Sequence, residues 1–211
     1  MKRDIGNKKC PIWLLGDSAP SNWENYLGEP FDSRHPIRHN IITSVFDVIQ
    51  DTIYRENRKR IEMSKIYIRN AVEKASIKPK SNVLEWNKKE LIDEMKEFKK
   101  LFDENTPRLI LTFGAFSYEF INRALKRREE RKYKKWGTKE LGEEFRNNIN
   151  LINDEEPIIL PLLHRSISGG RFLQSHDYYC KKPGANYFDY VGKEISKIII
   201  REFNDSDIWI R

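Results

Sequence analysis

Asp17, Asn70 and His164 are polar residues that each lie at or just beyond the end of a short apolar segment. They would bring together a carboxylate, an amide with both a donor and an acceptor, and an imidazole. Gly16 precedes the aspartate and would let the backbone approach a ligand closely. Such a set could bind a planar heterocycle with hydrogen-bonding edges and carry out chemistry on it.

Each of these residues also has a purely structural interpretation. Asp17 could cap a turn or a helix, which is the commoner role of an isolated aspartate. Asn70 could satisfy backbone groups, and Phe31, a further candidate, could belong to the core. A single histidine at a strand end is more often structural than functional. The functional interpretation therefore depends on these residues occurring together.

The segments that would position these residues alternate between strands and helices. Apolar runs predict strands at Pro11–Gly16, Lys65–Val72, Arg108–Phe113 and Ile158–Leu163. Apolar positions at helical spacing predict helices at about 37–60, 87–105, 116–126 and 189–203. This alternation indicates parallel βαβ units, so we predict an α/β fold, a three-layer sandwich with a central, mostly parallel sheet of about four strands. Ligands in such folds bind beyond the carboxyl ends of the strands.

The composition favours one globular domain with an anionic partner. The 211 residues suffice for one core, so we predict a single domain over residues 1–211. Lys and Arg number 39 against 32 Asp and Glu, and the resulting charge of +7 favours a partner that carries phosphates. No apolar run approaches the ~20 residues of a membrane helix, and the basic start lacks the apolar stretch of a signal peptide. We therefore expect a cytoplasmic monomer without membrane contact.

Several segments, in this order along the chain, carry a family resemblance. They are Gly16–Pro20 with Gly28–Phe31, then Tyr67–Val72, Leu109–Phe116 and Pro161–His164. Together they resemble the motifs of uracil-DNA glycosylases of the bacterial and archaeal iron–sulfur type, over about residues 11–172. The family's first motif has an acidic residue after the glycine and a later Gly-x-Pro-Phe, and its last motif continues as His-Pro-Ser.

Three features depart from that family. The iron–sulfur members use four cysteines, whereas this chain has only Cys10 and Cys180. Because these two have no metal-binding spacing and give no disulfide framework, we expect no metal and no cofactor. Arg165 stands where the family has a proline, and the first motif has one extra residue between its glycine and its proline. Fold and general chemistry therefore carry over better than the identity of the substrate.

The resemblance implies a DNA glycosylase that hydrolyses the N-glycosidic bond of an extruded uracil or modified pyrimidine. Cleavage passes through an oxocarbenium-like sugar while the departing base gains negative charge. His164 would donate a hydrogen bond to the base carbonyl where that charge develops, and Asp17 would position water or stabilise the sugar cation. Asn70 would read the Watson–Crick edge of the base, and Phe31 would stack on its face.

The same resemblance implies further contacts. Substrate contacts are implied for Gly16, Ser18 and Ser166. In the segment after His164, a glycine turn could hold phosphates and the next residues could fill the gap left in the duplex. The DNA-contacting residues would be Arg165, Gly169, Gly170, Arg171 and Phe172. The run 126–135 holds seven basic residues in ten, and is either a solvated helix extension or a phosphate-binding arm.

Three functions remain open at this point. The first is a glycosylase that removes uracil or another damaged pyrimidine in base-excision DNA repair, or a hypermodified phage cytosine in antiviral defence, as some resembling glycosylases do. The second is a glycosylase fold that recognises DNA without chemistry. The third is hydrolysis of a free nucleoside or nucleotide, which would need no basic arm. His35, His39 and His176 lack metal-binding spacing and receive no role.

Overall fold

Strands and helices alternate along the chain in the computed structural model, which describes residues 2–19, 26–79, 86–127, 136–150, 156–164 and 171–210, without the side chains of 171–173. The strands are β1 (Asp4–Ile5), β2 (Ile12–Gly16), β3 (Tyr67–Asn70), β4 (Leu109–Phe113) and β5 (Ile158–Leu162). The helices are α1 (Ser44–Asn57), α2 (Lys89–Asn105), α3 (Ala115–Ala124), α4 (Thr138–Asn150), α5 (Arg171–Cys180) and α6 (Tyr187–Phe203). A π-helical turn, Arg38–Thr43, leads into α1, and a 3₁₀ turn, Ala75–Ile77, follows β3.

The five strands form one sheet in the order β1-β3-β2-β4-β5. The four longer strands are parallel to their neighbours, and only β1 runs antiparallel, with Asp4 opposite Arg69. In the parallel part, Gly16 of β2 lies opposite Asn70 of β3. The predicted α/β fold with a mostly parallel sheet is confirmed, and the sheet has one strand more than the four that the sequence predicted.

The strand order also places helices on both faces of the sheet. The chain moves from β2 to β3 in one direction and from β3 past β2 to β4 in the other. Because such crossovers are right-handed, α1 and α2 lie on opposite faces. Phe98 of α2 contacts Trp13 of β2 and Phe120 of α3 on one side. All residues of β2, β4 and β5 are buried, as expected for strands that helices cover on both faces.

The helices follow from amphipathic spacing and from their caps. In α1, the buried residues Val45, Ile49 and Ile53 recur at four-residue intervals and form one apolar face. Helix α6 begins at Tyr187, two residues before the predicted start, because the Asn186 side chain accepts hydrogen bonds from the backbone N–H groups of the first turn. Within the described residues, no helix has the length and apolar character needed to span a membrane.

Candidate functional site

A crevice opens where the carboxyl ends of β2, β3, β4 and β5 meet. The connections that leave β2 and β4, two adjacent strands, run in opposite directions across the sheet, and such a switch point is where doubly wound sheets bind ligands. The crevice encloses about 300 Å³ including its open mouth. It is lined by Asp17, Ser18, Ala19, Leu27, Glu29, Phe31, His35, Ile37, Asn70 and His164. The structure therefore brings together five of the residues that the sequence analysis selected.

Two glycines at strand ends allow these side chains to converge. A Cβ atom on Gly16 would lie 2.4 Å from Oδ1 of Asn70 and 2.8 Å from Cε1 of Phe31. Gly114, which follows β4, has a φ of +95°, and a Cβ atom there would lie 2.7 Å from Cβ of His164. Distances below 3 Å do not occur for real Cβ atoms, so any other residue at Gly16 would displace Asn70 or Phe31.

Phe31 forms an aromatic wall of the crevice in an unusual backbone conformation. Its φ of +54° is rare for a bulky residue, and such strain is often found at functional sites. The ring is almost fully buried and stands edge-on to Phe113 at the end of β4, with the ring centroids 5.0 Å apart. Packing against the end of β4 therefore holds the ring in place although the backbone conformation is unfavourable.

The carboxylate of Asp32 organises the loop that carries Phe31. It accepts hydrogen bonds from the backbone N–H of Gly28 at 2.7 Å and from Arg34, through the backbone N–H at 3.0 Å and Nε at 2.8 Å. The Arg34 side chain, together with these backbone donors, holds the pKa of the Asp32 carboxyl well below its usual range. Asp32 thus remains ionised and keeps the loop closed around residues 28–34.

Asn70 presents an unengaged amide at the end of β3. The residue is buried, yet no described residue hydrogen-bonds its side-chain amide, so one donor group and one acceptor remain for a ligand. Its backbone carbonyl accepts a hydrogen bond from Nε of Arg69 at 3.1 Å. The Arg69 guanidinium in turn lies 3.6 Å from Oε2 of Glu94 in α2. A buried ion pair therefore supports the strand end that carries Asn70.

The two carboxylate oxygens of Asp17 have different surroundings. Oδ2 accepts a hydrogen bond from Nζ of Lys78 at 2.8 Å. Oδ1 is buried, and no described residue donates to it. A buried acceptor without a donor destabilises a fold by about 1–3 kcal/mol, so such groups require an explanation. A ligand group or a water molecule that donates to Oδ1 would supply one.

His164 is neutral in this environment. Burial lowers the pKa of its imidazole; the carboxylate of Asp17 opposes this shift and the ammonium of Lys78 adds to it. Because the net direction is downward from about 6.5, the imidazole is uncharged at neutral pH and can donate one hydrogen bond without carrying a charge.

His35 is a second histidine in the crevice, and the sequence analysis gave it no role. Its Nδ1 accepts a hydrogen bond from the backbone N–H of Ile37 at 3.2 Å, which places the proton of the neutral ring on Nε2. Burial and the nearby His164 lower the pKa of His35. The only sequence signal was its position four residues after Phe31, in the same strand-end loop.

Most of the predicted DNA-contacting residues lie outside the part of the chain that the structure describes. Arg165, Ser166, Gly169 and Gly170 lie outside the described residues, as do Pro20 and positions 128–135 of the basic run. Arg171 and Phe172 lie in the first turn of α5, but their side chains are not described. Their contacts with DNA therefore stay predictions.

The start of the basic run lies at the amino ends of the strands, on the side of the sheet opposite the crevice. Arg127 donates hydrogen bonds to the carbonyl of Pro157 at 3.3 Å and to Oε2 of Glu156 at 3.0 Å. These two residues directly precede β5, so Lys126 and Arg127 lie at the amino ends of the strands. The described part of the run is thus remote from the carboxyl-end crevice.

Among the described residues, no three His, Cys, Asp or Glu side chains come close enough to hold a metal ion. Both cysteines are buried free thiols, and burial raises the pKa of each, to about 11 for Cys180. Neither thiol lines the crevice. The ionisable side chains that line the crevice are Asp17, Glu29, His35 and His164, and Ser18 and Asn70 add a hydroxyl and an amide.

Comparison with known proteins assigns no family to the chain: no protein-family model matches it, and no curated protein matches it. Its function must therefore be argued from the residues that line the crevice and from the chemistry that they can perform.

Proposed function

We propose that this protein is a DNA glycosylase that hydrolyses the N-glycosidic bond of an extruded uracil or modified pyrimidine. The observation that carries the proposal is the convergence of Asp17, Phe31, Asn70 and His164, from three strand ends, on one crevice at the switch point of the sheet. The crevice lining combines an aromatic side chain with polar groups, as sites for planar heterocycles do.

The crevice offers the groups that recognition of an extruded base needs. The Asn70 amide has a donor and an acceptor that no described residue uses, which match the polar edge of a pyrimidine. The ring of Phe31 provides an apolar face, and Phe113 supports that ring from behind. Leu27 and Ile37 complete the apolar lining. Base stacking on such a wall contributes about 1–3 kcal/mol per base.

The hydrolytic step can be assigned to Asp17 and His164. As the bond from C1′ to the base nitrogen breaks, its electron pair stays with the base, and the sugar becomes oxocarbenium-like. A neutral His164 donates a hydrogen bond to the base carbonyl that takes up this charge. The carboxylate of Asp17 stabilises the sugar cation and accepts the proton of the water whose oxygen bonds to C1′. The products are the free base and an abasic site.

The net charge of +7 supports a polyanionic substrate over a free nucleoside. The segment directly after His164, including Arg165, Ser166, Gly169 and Gly170, would contact the flanking phosphates, and Arg171 with Phe172 would fill the space that the extruded base leaves in the duplex. In this proposal, the base occupies the crevice while the phosphates lie at its mouth.

The proposal can be tested with matched oligonucleotides that contain uracil, deaminated purines, cytosine, or hydroxymethylated and glucosylated cytosine, and with the corresponding free nucleosides. Mass spectrometry of the released base identifies the substrate. For the best substrate, we expect His164→Ala to lower the single-turnover rate by about 10²–10³-fold, the usual effect of losing a donor to a developing anion. Asp17→Asn should also lower it strongly.

Asp51→Asn is the matched control, because Asp51 is an exposed aspartate of α1 that pairs with Arg55 and does not line the crevice. It should leave the rate unchanged. Tight DNA binding by the folded wild-type protein without release of any base would indicate a binding module instead. Turnover of free nucleosides with no preference for DNA would indicate a nucleoside hydrolase.

A further inference from the structure

Lys78 supports Asp17 from outside the crevice. The 3₁₀ turn Ala75–Ile77 directly precedes Lys78 and presents it towards the end of β2. Its Nζ lies 2.8 Å from Oδ2 of Asp17 and 5.6 Å from the centre of the Phe116 ring in the first turn of α3. Lys78 itself does not line the crevice. The ammonium group is therefore held between a carboxylate and an aromatic face, at a site that the sequence analysis did not select.

This contact makes the two oxygens of Asp17 unequal. An unrestrained carboxylate can rotate about its side-chain bonds, and either oxygen can then face a ligand. With Oδ2 fixed by Lys78, the buried Oδ1 is the oxygen to which no described residue donates. A reaction in which Asp17 aligns an attacking water needs one oxygen at a defined place, because a displacement of about 1 Å can lower a rate by about a hundredfold.

We propose that Lys78 is a positioning residue: it holds Asp17 through Oδ2 so that Oδ1 receives the hydrogen bond of the attacking water. This inference rests on the proposed glycosylase function. The water loses a proton to Asp17 while its oxygen bonds to C1′, and Lys78 exchanges no proton in this step. Because Lys78 positions the water through Asp17, substituting Lys78 should lower the rate above the acidic limb only while the aspartate is present.

Lys78 also acts on His164 through the electrostatic field. Among the described residues, the charged or titratable groups that influence the imidazole are Asp17, Lys78 and His35, and Glu29 lines the same crevice. The ammonium of Lys78 lowers the pKa of His164, whereas Asp17 raises it. Loss of Lys78 should therefore raise this pKa towards its ordinary value and shift the acidic limb of the pH–rate profile to higher pH. A variant whose only defect was a smaller folded fraction would not produce this shift.

The test compares Lys78→Met and Lys78→Arg with the matched control Lys193→Met. Lys193 forms a contact of the same length, 2.8 Å, with Asp189 on the exposed face of α6. Single-turnover rates across pH, on the oligonucleotide that the wild-type protein cleaves best, should be about tenfold to a hundredfold lower for Lys78→Met. Lys78→Arg should retain most of the rate and the wild-type pH profile, and Lys193→Met should retain both.

A double-mutant cycle decides whether Lys78 works through Asp17. At pH values above the acidic limb, where His164 is neutral in every variant, adding Lys78→Met to Asp17→Asn should lower the rate no further, whereas additive losses there would overturn the proposal. Wild-type rate and pH profile in Lys78→Met would also overturn it while leaving the glycosylase function standing. If the wild-type protein releases no base, both the proposed glycosylase function and the proposed role of Lys78 are wrong. If Lys78→Met fails to fold, Lys78→Gln provides the same neutral comparison, with the titration of His164 by NMR as a readout that is independent of turnover.

Discussion

At the residue scale, the Asn70 amide can be converted into a carboxylate of nearly the same shape. Uracil presents a carbonyl acceptor where cytosine presents an amino donor. An aspartate at position 70 can accept from the cytosine amino group but cannot donate to the uracil carbonyl. We therefore expect Asn70→Asp to lower uracil release about tenfold to a hundredfold, which corresponds to about 1–3 kcal/mol for a lost buried hydrogen bond, and to raise the release of cytosine-type bases.

The measurement is the ratio of rates on two oligonucleotides that differ only in uracil or cytosine at the target position. Thermal unfolding of the variant checks that the fold is intact, because Asn70 is buried beside Gly16. Uracil release that persists in Asn70→Asp at the wild-type rate would mean that Asn70 does not read the base.

The sequence could indicate the site residues that lie at the carboxyl ends of strands. Asp17, Asn70 and His164 follow apolar runs, so the rule for parallel sheets was enough to predict that they meet. His35 and Lys78 have no such signal. Lys78 is one of several lysines in a polar segment, and only the 3₁₀ turn before it brings its ammonium group to Asp17.

At the scale of elements, the close pairing of the β2 and β3 ends can be tested at Gly16. A methyl group there would overlap with the Asn70 amide and the Phe31 ring, so one of them must move. We expect Gly16→Ala to lower base release by about a hundredfold or more and to destabilise the fold by about 1–3 kcal/mol, the usual effect of overpacking. Release assays and urea unfolding measure the two effects.

Gly28→Ala is the control for that experiment. Its Cβ atom would lie 3.5 Å from the nearest atom, Oδ2 of Asp32, which is an ordinary contact. This variant should keep both its activity and its stability. Equal rates of base release and equal stabilities of Gly16→Ala and Gly28→Ala would show that the strand ends are not tightly packed around Gly16.

The elements that the sequence did not predict have weak patterns of their own. β1 has two residues and exists through its pairing with β3. Helix α4 buries only two large apolar side chains, Leu141 and Phe145, and it also relies on polar contacts such as that of Asn148, which donates to the carbonyl of Ile159 in β5. Such an element depends on its tertiary partners, which periodicity cannot reveal.

At the scale of the whole molecule, burial of histidines couples stability to pH. Of the four histidines, His35, His164 and His176 are each at least half-buried, and burial lowers the pKa of all three. In the unfolded chain, histidines titrate near 6.5. Asp32 adds nothing in this range, because its carboxyl stays ionised in the fold and unfolded aspartates titrate near 3.9.

Below about pH 6.5, the unfolded chain therefore binds more protons than the folded chain, so the free energy of unfolding should decrease as the pH falls from 7.5 to 5.5. Each histidine can contribute up to about 1.4 kcal/mol per pH unit, and the contribution of each ends once the pH falls below its folded-state pKa.

Urea unfolding at several pH values measures how steeply the free energy of unfolding depends on pH. His176→Phe should reduce this slope, because a phenyl ring can occupy the position between Tyr187 and Phe188 without titrating. His39→Gln, at an exposed position, serves as the control. A free energy of unfolding that stays constant or increases towards pH 5.5 would contradict the neutral state that the burial assigns to these histidines, including the one on which the proposed base release depends.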